Sequence, residues 1–198
     1  MSSNHQSAPE ARRNKSAPEA RRGDLRIAIS GKSGCGNSTV SSIVAEMLGL
    51  RLINYTFKDL ARERGMTFEE ICEKAESDSQ YDLAIDRTQV ELARAGGFVL
   101  GSRLAIWLLR DNAFTVYLIA SPGVIAQRIN QREGIGLEAA LAKTALRDKR
   151  DHDRYRRLYS FDIDDYGFAD LLIDTEKLEP RAVAKKIAER VSGSDAVP

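Results

Sequence analysis

From Leu25 onward, short apolar runs alternate with helical stripes of apolar residues. Leu25–Ser30 (LRIAIS) is a β-type run that ends in a glycine-rich stretch. Behind it Val40, Ile43, Val44, Met47 and Leu48 recur at the spacing of an amphipathic helix. Arg51–Asn54 predicts a second short strand. Phe57–Arg64 and Phe68–Lys74 predict short helices, the latter opened by a Thr67-x-x-Glu70 capping box. A helix over Asp82–Ala95 stops at Gly96-Gly97, since glycine tolerates the left-handed turn that ends helices. Phe98–Gly101, Phe114–Ile119 and Asp170–Asp174 are further strand candidates. One more helix starts at Pro122, where the fixed φ of proline suits a first turn, and others span Leu137–Tyr159 and Pro180–Val191. Strands alternating with helices need crossover connections, hence a parallel sheet covered on both faces. The expected fold class is α/β, a three-layer α/β/α domain with a parallel sheet of about five strands.

Residues 1–23 depart from this pattern. SAPEARR at Ser7–Arg13 returns at Ser16–Arg22, and neither copy carries a large apolar residue that could join a core. The expectation is a disordered tail or an over-extended start. The rival, an arginine-rich arm for anionic surfaces, is weakened by the glutamates and the short length. The folded domain is placed at residues 24–192 and a flexible C-terminus at 193–198.

Composition narrows the classes. A chain of 198 residues is one domain's worth, and 30 Lys+Arg against 29 Asp+Glu leave a net charge of +1. That balance excludes a globally basic nucleic-acid coat and an acidic tail protein, so any electrostatic function must come from local clusters. No apolar run approaches the ~18 residues of a membrane span, and the first residues lack the apolar core of a signal peptide. Cys35 and Cys72 fit neither a disulfide framework nor a metal site. The expectation is a cytoplasmic monomer with no nucleic-acid or membrane partner.

The chemistry starts at Gly31-Lys32-Ser33-Gly34-Cys35-Gly36-Asn37-Ser38-Thr39, between the first strand and the first helix. A glycine-rich turn there aims backbone N–H groups inward, and the helix N-terminus adds partial positive charge, which suits phosphate. The G-x-x-x-x-G-K-[ST] pattern is met at Gly31, Gly36 and Ser38, with Asn37 in place of the lysine. The N–H groups from Gly34 to Ser38 are the candidate phosphate cradle, and the Ser38 hydroxyl is the candidate Mg²⁺ ligand. The bland alternative is a turn that binds nothing. Cys35 is read as a small loop residue, because phosphoryl transfer needs no thiol. Losing one charge-assisted hydrogen bond at Asn37 would cost about 10–150-fold unless another cation replaces it. Lys32 is one source of replacement or else a solvated loop lysine, and the downstream arginines are the stronger source.

Arg128 and Arg132, four residues apart, share one face of the helix after Pro122, followed by the glycine joint Gly134-Ile135-Gly136. In Arg147–Arg157, Arg147, Asp151 and Arg154 fall at i, i+4 and i+7, with Arg150 beside them. Alone, such a strip reads as a solvated, ion-paired helix face. Downstream of a phosphate cradle it reads as a hinged set of cations that meet when two anionic nucleotides are bound. The carboxylate of Asp151 suits an exocyclic amine such as that of cytosine. Arg103 follows the third strand, at the end of a parallel sheet where ligands bind, and Lys58 lies on the helix after the second strand. Either of these is also readable as plain surface charge. Trp107 and its apolar neighbours are assigned to the core, and His5 and His152 to no metal or general-base role.

These segments, RIAISGKSGCGNST, FKDLARERGMTFEE, IDRTQ, LGSRLAIW, QREG, RYRRLYSFDIDD and DLLIDT, resemble the cytidylate kinases, closest to their compact archaeal-like form, over nearly all of Leu25–Val191. The resemblance implies a P-loop kinase fold with acceptor-binding helices over about 55–95 and a helical lid over about 128–160. It implies transfer of the ATP γ-phosphoryl group to CMP and dCMP with Mg²⁺. It places ATP phosphates at Gly34, Gly36, Ser38 and Thr39, and CMP phosphate at Arg103 and Lys58. The lid arginines match Arg128 and Arg132. The cytidine-side set matches Arg147, Asp151 and Arg154, and the Asp174-Thr175 turn borders the ATP base. Arg128, Arg132 and Arg150 are expected to close on the transferring phosphate. Departures are Asn37, Lys58 where arginine is usual, and Ser160 where glycine is usual after Tyr159. The alternatives are a non-catalytic or regulatory P-loop nucleotide-binding protein, motivated by Asn37, and a P-loop kinase for another small acceptor.

Overall fold

The computed structural model describes residues 25–193, so the expected tail and all but the first residue of the expected flexible C-terminus lie outside the described residues. Five strands, β1 (Arg26–Gly31), β2 (Arg51–Ile53), β3 (Phe98–Gly101), β4 (Phe114–Ile119) and β5 (Leu171–Asp174), form one sheet in the order β2-β3-β1-β4-β5. Every adjacent pair is parallel. The strand C-termini therefore share one edge, and β1, which feeds the glycine-rich loop, sits at the centre.

Eight helices occur among the described residues: α1 (Asn37–Leu48), α2 (Phe57–Arg64), α3 (Phe68–Ser77), α4 (Gln80–Ala93), α5 (Ala105–Leu108), α6 (Pro122–Glu133), α7 (Leu137–Tyr159) and α8 (Pro180–Val191). Alternate strand residues serve opposite layers, as the period of two requires. Ile27, Ile29, Val99, Val116 and Leu118 pack with α1, α6 and α8. Ala28, Phe98, Leu100 and Tyr117 pack with α5, Trp107 and Tyr155. The three-layer α/β/α architecture and the strand number agree with the sequence pattern. A separate small core of Tyr55, Leu60, Ala61, Ile71 and Ile85 joins α2, α3 and α4.

Local rules explain most boundaries. Thr67 and Glu70 form the expected reciprocal capping box, and Thr56 with Asp59 forms a second one. Helix α5 was not expected: its few residues are apolar throughout, so they carry no helical period to read. Gly101 permits close packing, because a Cβ there would come within 2.6 Å of Ser41 Cβ on α1. Ser160, at the C-terminus of α7, has φ 57°, the one positive φ outside glycine among the described residues. That conformation accounts for the glycine usual at this position in the resembling family.

Candidate active site

A cleft of about 820 Å³ opens along the C-terminal edge of the sheet. It is lined by Gly31, Lys32, Ser33, Gly34, Cys35, Gly36, Asn37, Ser38 and Thr39, by Arg103, and by Arg128, Arg132 and Arg147. Thus nine loop and helix-start positions and four of the sequence-selected arginines meet around one space, as the β1–loop–α1 and strand-edge logic requires.

The cradle is held by backbone geometry. Gly34 has φ +80°, and a Cβ there would approach Ile125 Cγ2 to 2.9 Å. Cys35 N–H donates to Lys32 O at 3.2 Å, and Val40 N–H donates to Gly36 O at 2.9 Å to start α1. Ser38 and Thr39 stand exposed in the cleft, so the Ser38 hydroxyl is an available hard oxygen donor that fits Mg²⁺. Cys35 is 2 % exposed, and burial pushes its thiol up to about 11, which makes it a packing residue rather than a nucleophile.

Asn37 does not act as a stand-in cation. Its Nδ2 donates to Gly31 O at 3.0 Å and closes the loop on itself. Lys32 does not replace the missing lysine either: its ammonium lies 2.8 Å from Asp164. Burial lowers the Lys32 pKa, but the hydrogen bond and charge of Asp164 outweigh it and raise the value. The remaining cations lining the cleft are the four arginines and Lys177, which follows β5. Arg103 reaches Ser33 Oγ, Asp148 at 3.2 Å and Asp151, and thereby ties the cradle to α7. The Ser33 N–H adds a 3.4 Å bond to Asp148. Arg128 donates to Gly34 O at 3.4 Å, to Thr175 Oγ1 at 3.0 Å and to Thr175 O, which fixes it between the cradle and the turn after β5. Arg132 bonds Glu133 at 2.6 Å and remains largely exposed, and Arg147 is an exposed residue of the cleft wall.

Several sequence-selected residues fall elsewhere. Arg150 and Arg154 line a second hollow of about 790 Å³ between α3, α4 and α7, so Arg150 does not join Arg128 and Arg132 at the cradle. Lys58 is exposed, lies 5.8 Å from the Phe68 ring centre and lines neither hollow. Asp151 is 6 % exposed, with one carboxylate oxygen paired to Arg103 and the other bonded to Arg154 at 2.8 Å. In this arrangement Asp151 sits between two arginines and holds them together. Sequence reasoning missed Asp148, Asp164 and Asp82 as partners of Arg103, Lys32 and Arg154 respectively. The D/R-rich stretch over 147–157 held the signal for Asp148 alone, because the other two lie far away in sequence.

Comparisons with known proteins agree with this geometry. The sequence model of the Cytidylate kinase-like family matches residues 26–177. Cytidylate kinase 2 of Borreliella burgdorferi is 42 % identical over 171 residues, covering 84 % of this chain and 95 % of that protein. Cytidylate kinase of Pyrococcus horikoshii is 36 % identical over 175 residues, covering 87 % and 91 %. Among solved structures, shikimate kinase from Acinetobacter baumannii superposes with a TM-score of 0.60 at 20 % identity, covering 88 % of this chain and 97 % of that one. This last likeness concerns the fold. Among the described residues, no helix is long and apolar enough to cross a membrane.

Proposed function

The chain belongs to the cytidylate kinase-like family, and from that membership we propose that it transfers the γ-phosphoryl group of ATP to CMP, and to dCMP, giving ADP and the nucleoside diphosphate. The observation that carries this reading is the cleft in which a glycine-rich cradle faces four arginines from the loop after β3, from α6 and from α7. An acceptor phosphate oxygen attacks the γ-phosphorus while the bond to the β,γ-bridging oxygen breaks, so ADP leaves and no covalent enzyme intermediate is needed. Two anionic nucleotides repel one another in water. The arginines lining the cleft offset that repulsion and the charge that develops on transfer.

Backbone N–H groups of the cradle hold the donor phosphates, with Ser38 as the Mg²⁺ ligand; the ion supplies charge neutralisation at those phosphates. Arg128 and Arg132 face the donor side, Arg103 and Arg147 the acceptor phosphate. Residues about 55–95 form the acceptor-binding helices, and the α6–α7 hairpin, joined through Gly134 and Gly136, is the lid. A cytoplasmic monomer completes the reading.

The test is ADP release from Mg-ATP with CMP, dCMP, UMP and AMP offered singly. Turnover confined to CMP and dCMP is expected. Turnover with a different monophosphate instead overturns the acceptor assignment. Silence with all four, in protein that binds ATP, overturns the kinase reading in favour of a nucleotide-binding role.

A further inference from the structure

The second hollow contains two polar atoms of opposite character without hydrogen-bond partners. Asp82, on the first turn of α4, is 7 % exposed; one of its carboxylate oxygens lies 3.3 Å from Arg154, and the other, Oδ2, is buried with no partner. Arg154, on α7, spends one terminal nitrogen on Asp151 and on the Tyr155 hydroxyl and the other on Asp82, while its Nε is buried and unpartnered. Asp82 and Arg154 both line the hollow, with Phe57 and Cys72 supplying apolar surface beside them. An unmet buried acceptor or donor is destabilising, so a ligand that satisfies both gains affinity that a mismatched ligand does not. Burial, the largest influence, also raises the Asp82 carboxyl above its ordinary value, as befits a carboxylate short of partners.

We propose that Asp82, beside Arg154, reads the Watson–Crick edge of the acceptor's cytosine: the free carboxylate oxygen accepts from the exocyclic amine and the guanidinium donates to the ring nitrogen. This rests on the CMP reading above and names the residue that enforces it. Cytosine presents a donor amine next to an acceptor nitrogen, complementary to the acceptor–donor pair of Asp82 and Arg154. Uracil presents the reverse, a carbonyl oxygen next to an N–H, so it sets oxygen against carboxylate and N–H against guanidinium. Discrimination thus comes from repulsion as well as attraction. Arg154, with 30 % of its side chain exposed, is the movable member that admits the ring. Asp151 holds Arg154 from behind and thereby acts as a positioning residue.

The experiment compares kcat/KM for CMP, UMP and the CMP analogue lacking the exocyclic amine (the pyrimidin-2-one ribonucleoside monophosphate), in the full chain and in Asp82→Asn. The expected result is a fall in the CMP:UMP ratio of about 5- to 150-fold in the variant. The full chain should prefer CMP over the amine-less analogue, and Asp82→Ala, which offers the amine no acceptor, should treat the two within about twofold, as a cycle across one contact requires. A purely structural role for Asp82 would lower turnover with every acceptor alike and leave both ratios unchanged, which overturns the proposal while the CMP assignment stands. Asp82→Ser, which places no amide against Arg154, gives the same readout if Asp82→Asn fails to fold, as judged by its thermal transition. Failure of the full chain to prefer CMP over UMP overturns the acceptor reading itself and this proposal with it.

Discussion

The phosphate cradle and the acceptor wall are built on different physical principles. The cradle is a short loop between β1 and α1, and its donors are main-chain N–H groups fixed by glycine torsions and by packing on Ile125 and Val40. The acceptor wall consists of charged side chains from β3's end, α4 and α7, each held by a partner distant in sequence: Arg103 with Asp148 and Asp151, Arg154 with Asp82, Tyr159 with Asp86. A backbone cradle needs few specific side chains, and Asn37, where a lysine is common, closes the loop through Gly31 O instead. A wall of ion pairs can be re-sorted by one substitution, and the proposed base reading rests there. The difference shows where each part is vulnerable: the cradle to added volume, the wall to a lost partner.

Arg103 joins the two halves, and removing it should produce the largest effect. Its side chain is 18 % exposed and spans Ser33 in the cradle and two acids on α7. Arg103→Ala removes a phosphate-facing donor, leaves Asp148 without its cation and leaves Asp151 with Arg154 alone. The expected outcome is a fall in kcat/KM for CMP of roughly 10²–10³-fold. A loss of about 3 kcal/mol in stability should accompany it, since breaking a buried pair strands the remaining charge. Steady-state kinetics and thermal unfolding on the same preparation check both. A loss below about tenfold would mean that the halves communicate by another route.

The same contrast explains what was legible in the sequence. The β1 run, the glycines and the stripe of Val40, Val44 and Leu48 are local patterns, so the cradle and the sheet could be placed from spacing alone. Arg103 was also readable, because a parallel sheet brings its strand ends to one edge. Arg128, Arg132 and Arg147 were readable from helical spacing downstream of the cradle. Pairing was not readable. Asp164 takes Lys32 from 132 positions away in the chain, counting from the numbers of the bonded pair, and no periodicity encodes that. Asp151 sat at ideal spacing for a base reader, yet the fold turns it toward Arg103. Spacing along a helix fixes a face; which residue opposes that face is a tertiary fact.

A second, smaller effect lies in the wall's acids. Burial, the largest influence, pushes the Asp86 carboxyl up to about 6, against the Tyr159 hydroxyl that donates to it at 2.6 Å. In the unfolded chain the group titrates near its ordinary 3.8. Between those values the folded chain keeps a proton that the unfolded chain has released, so this group's contribution to stability falls as pH rises through the window and is lost above about 6. Asp86→Asn does not titrate, and its carbonyl still accepts from Tyr159. The variant is therefore expected to be more stable than the parent at pH about 8, by roughly 1–3 kcal/mol, with the gap closing toward pH about 4. Thermal unfolding across that range tests the sign; a gap that widens on acidification would show that Asp86 is better stabilised charged.

The smallest effect sharpens the comparison at the far end of α7, where the wall's longest helix must stop. The cradle uses glycine at its left-handed positions, whereas α7 ends on Ser160 at φ 57° and ψ 23°. A Cβ in that region crowds the adjacent backbone, a cost of about 1 kcal/mol that glycine avoids. Ser160 contributes its main-chain N–H to Arg156 O at 3.0 Å, and glycine makes that same bond. Glycine also gives the unfolded chain more freedom, which takes back part of the gain. Ser160→Gly is therefore expected to add about 0.5–1 kcal/mol, a rise of roughly 1–4 °C in Tm. The CMP:UMP ratio should not move, because Arg154 lies more than one turn before the change on α7 and Asp82 lies on α4. A variant that gains stability yet loses that ratio would mean that the strained stop at Ser160 sets where α7 presents Arg154, and that the wall draws its specificity from its end as well as from its ion pairs.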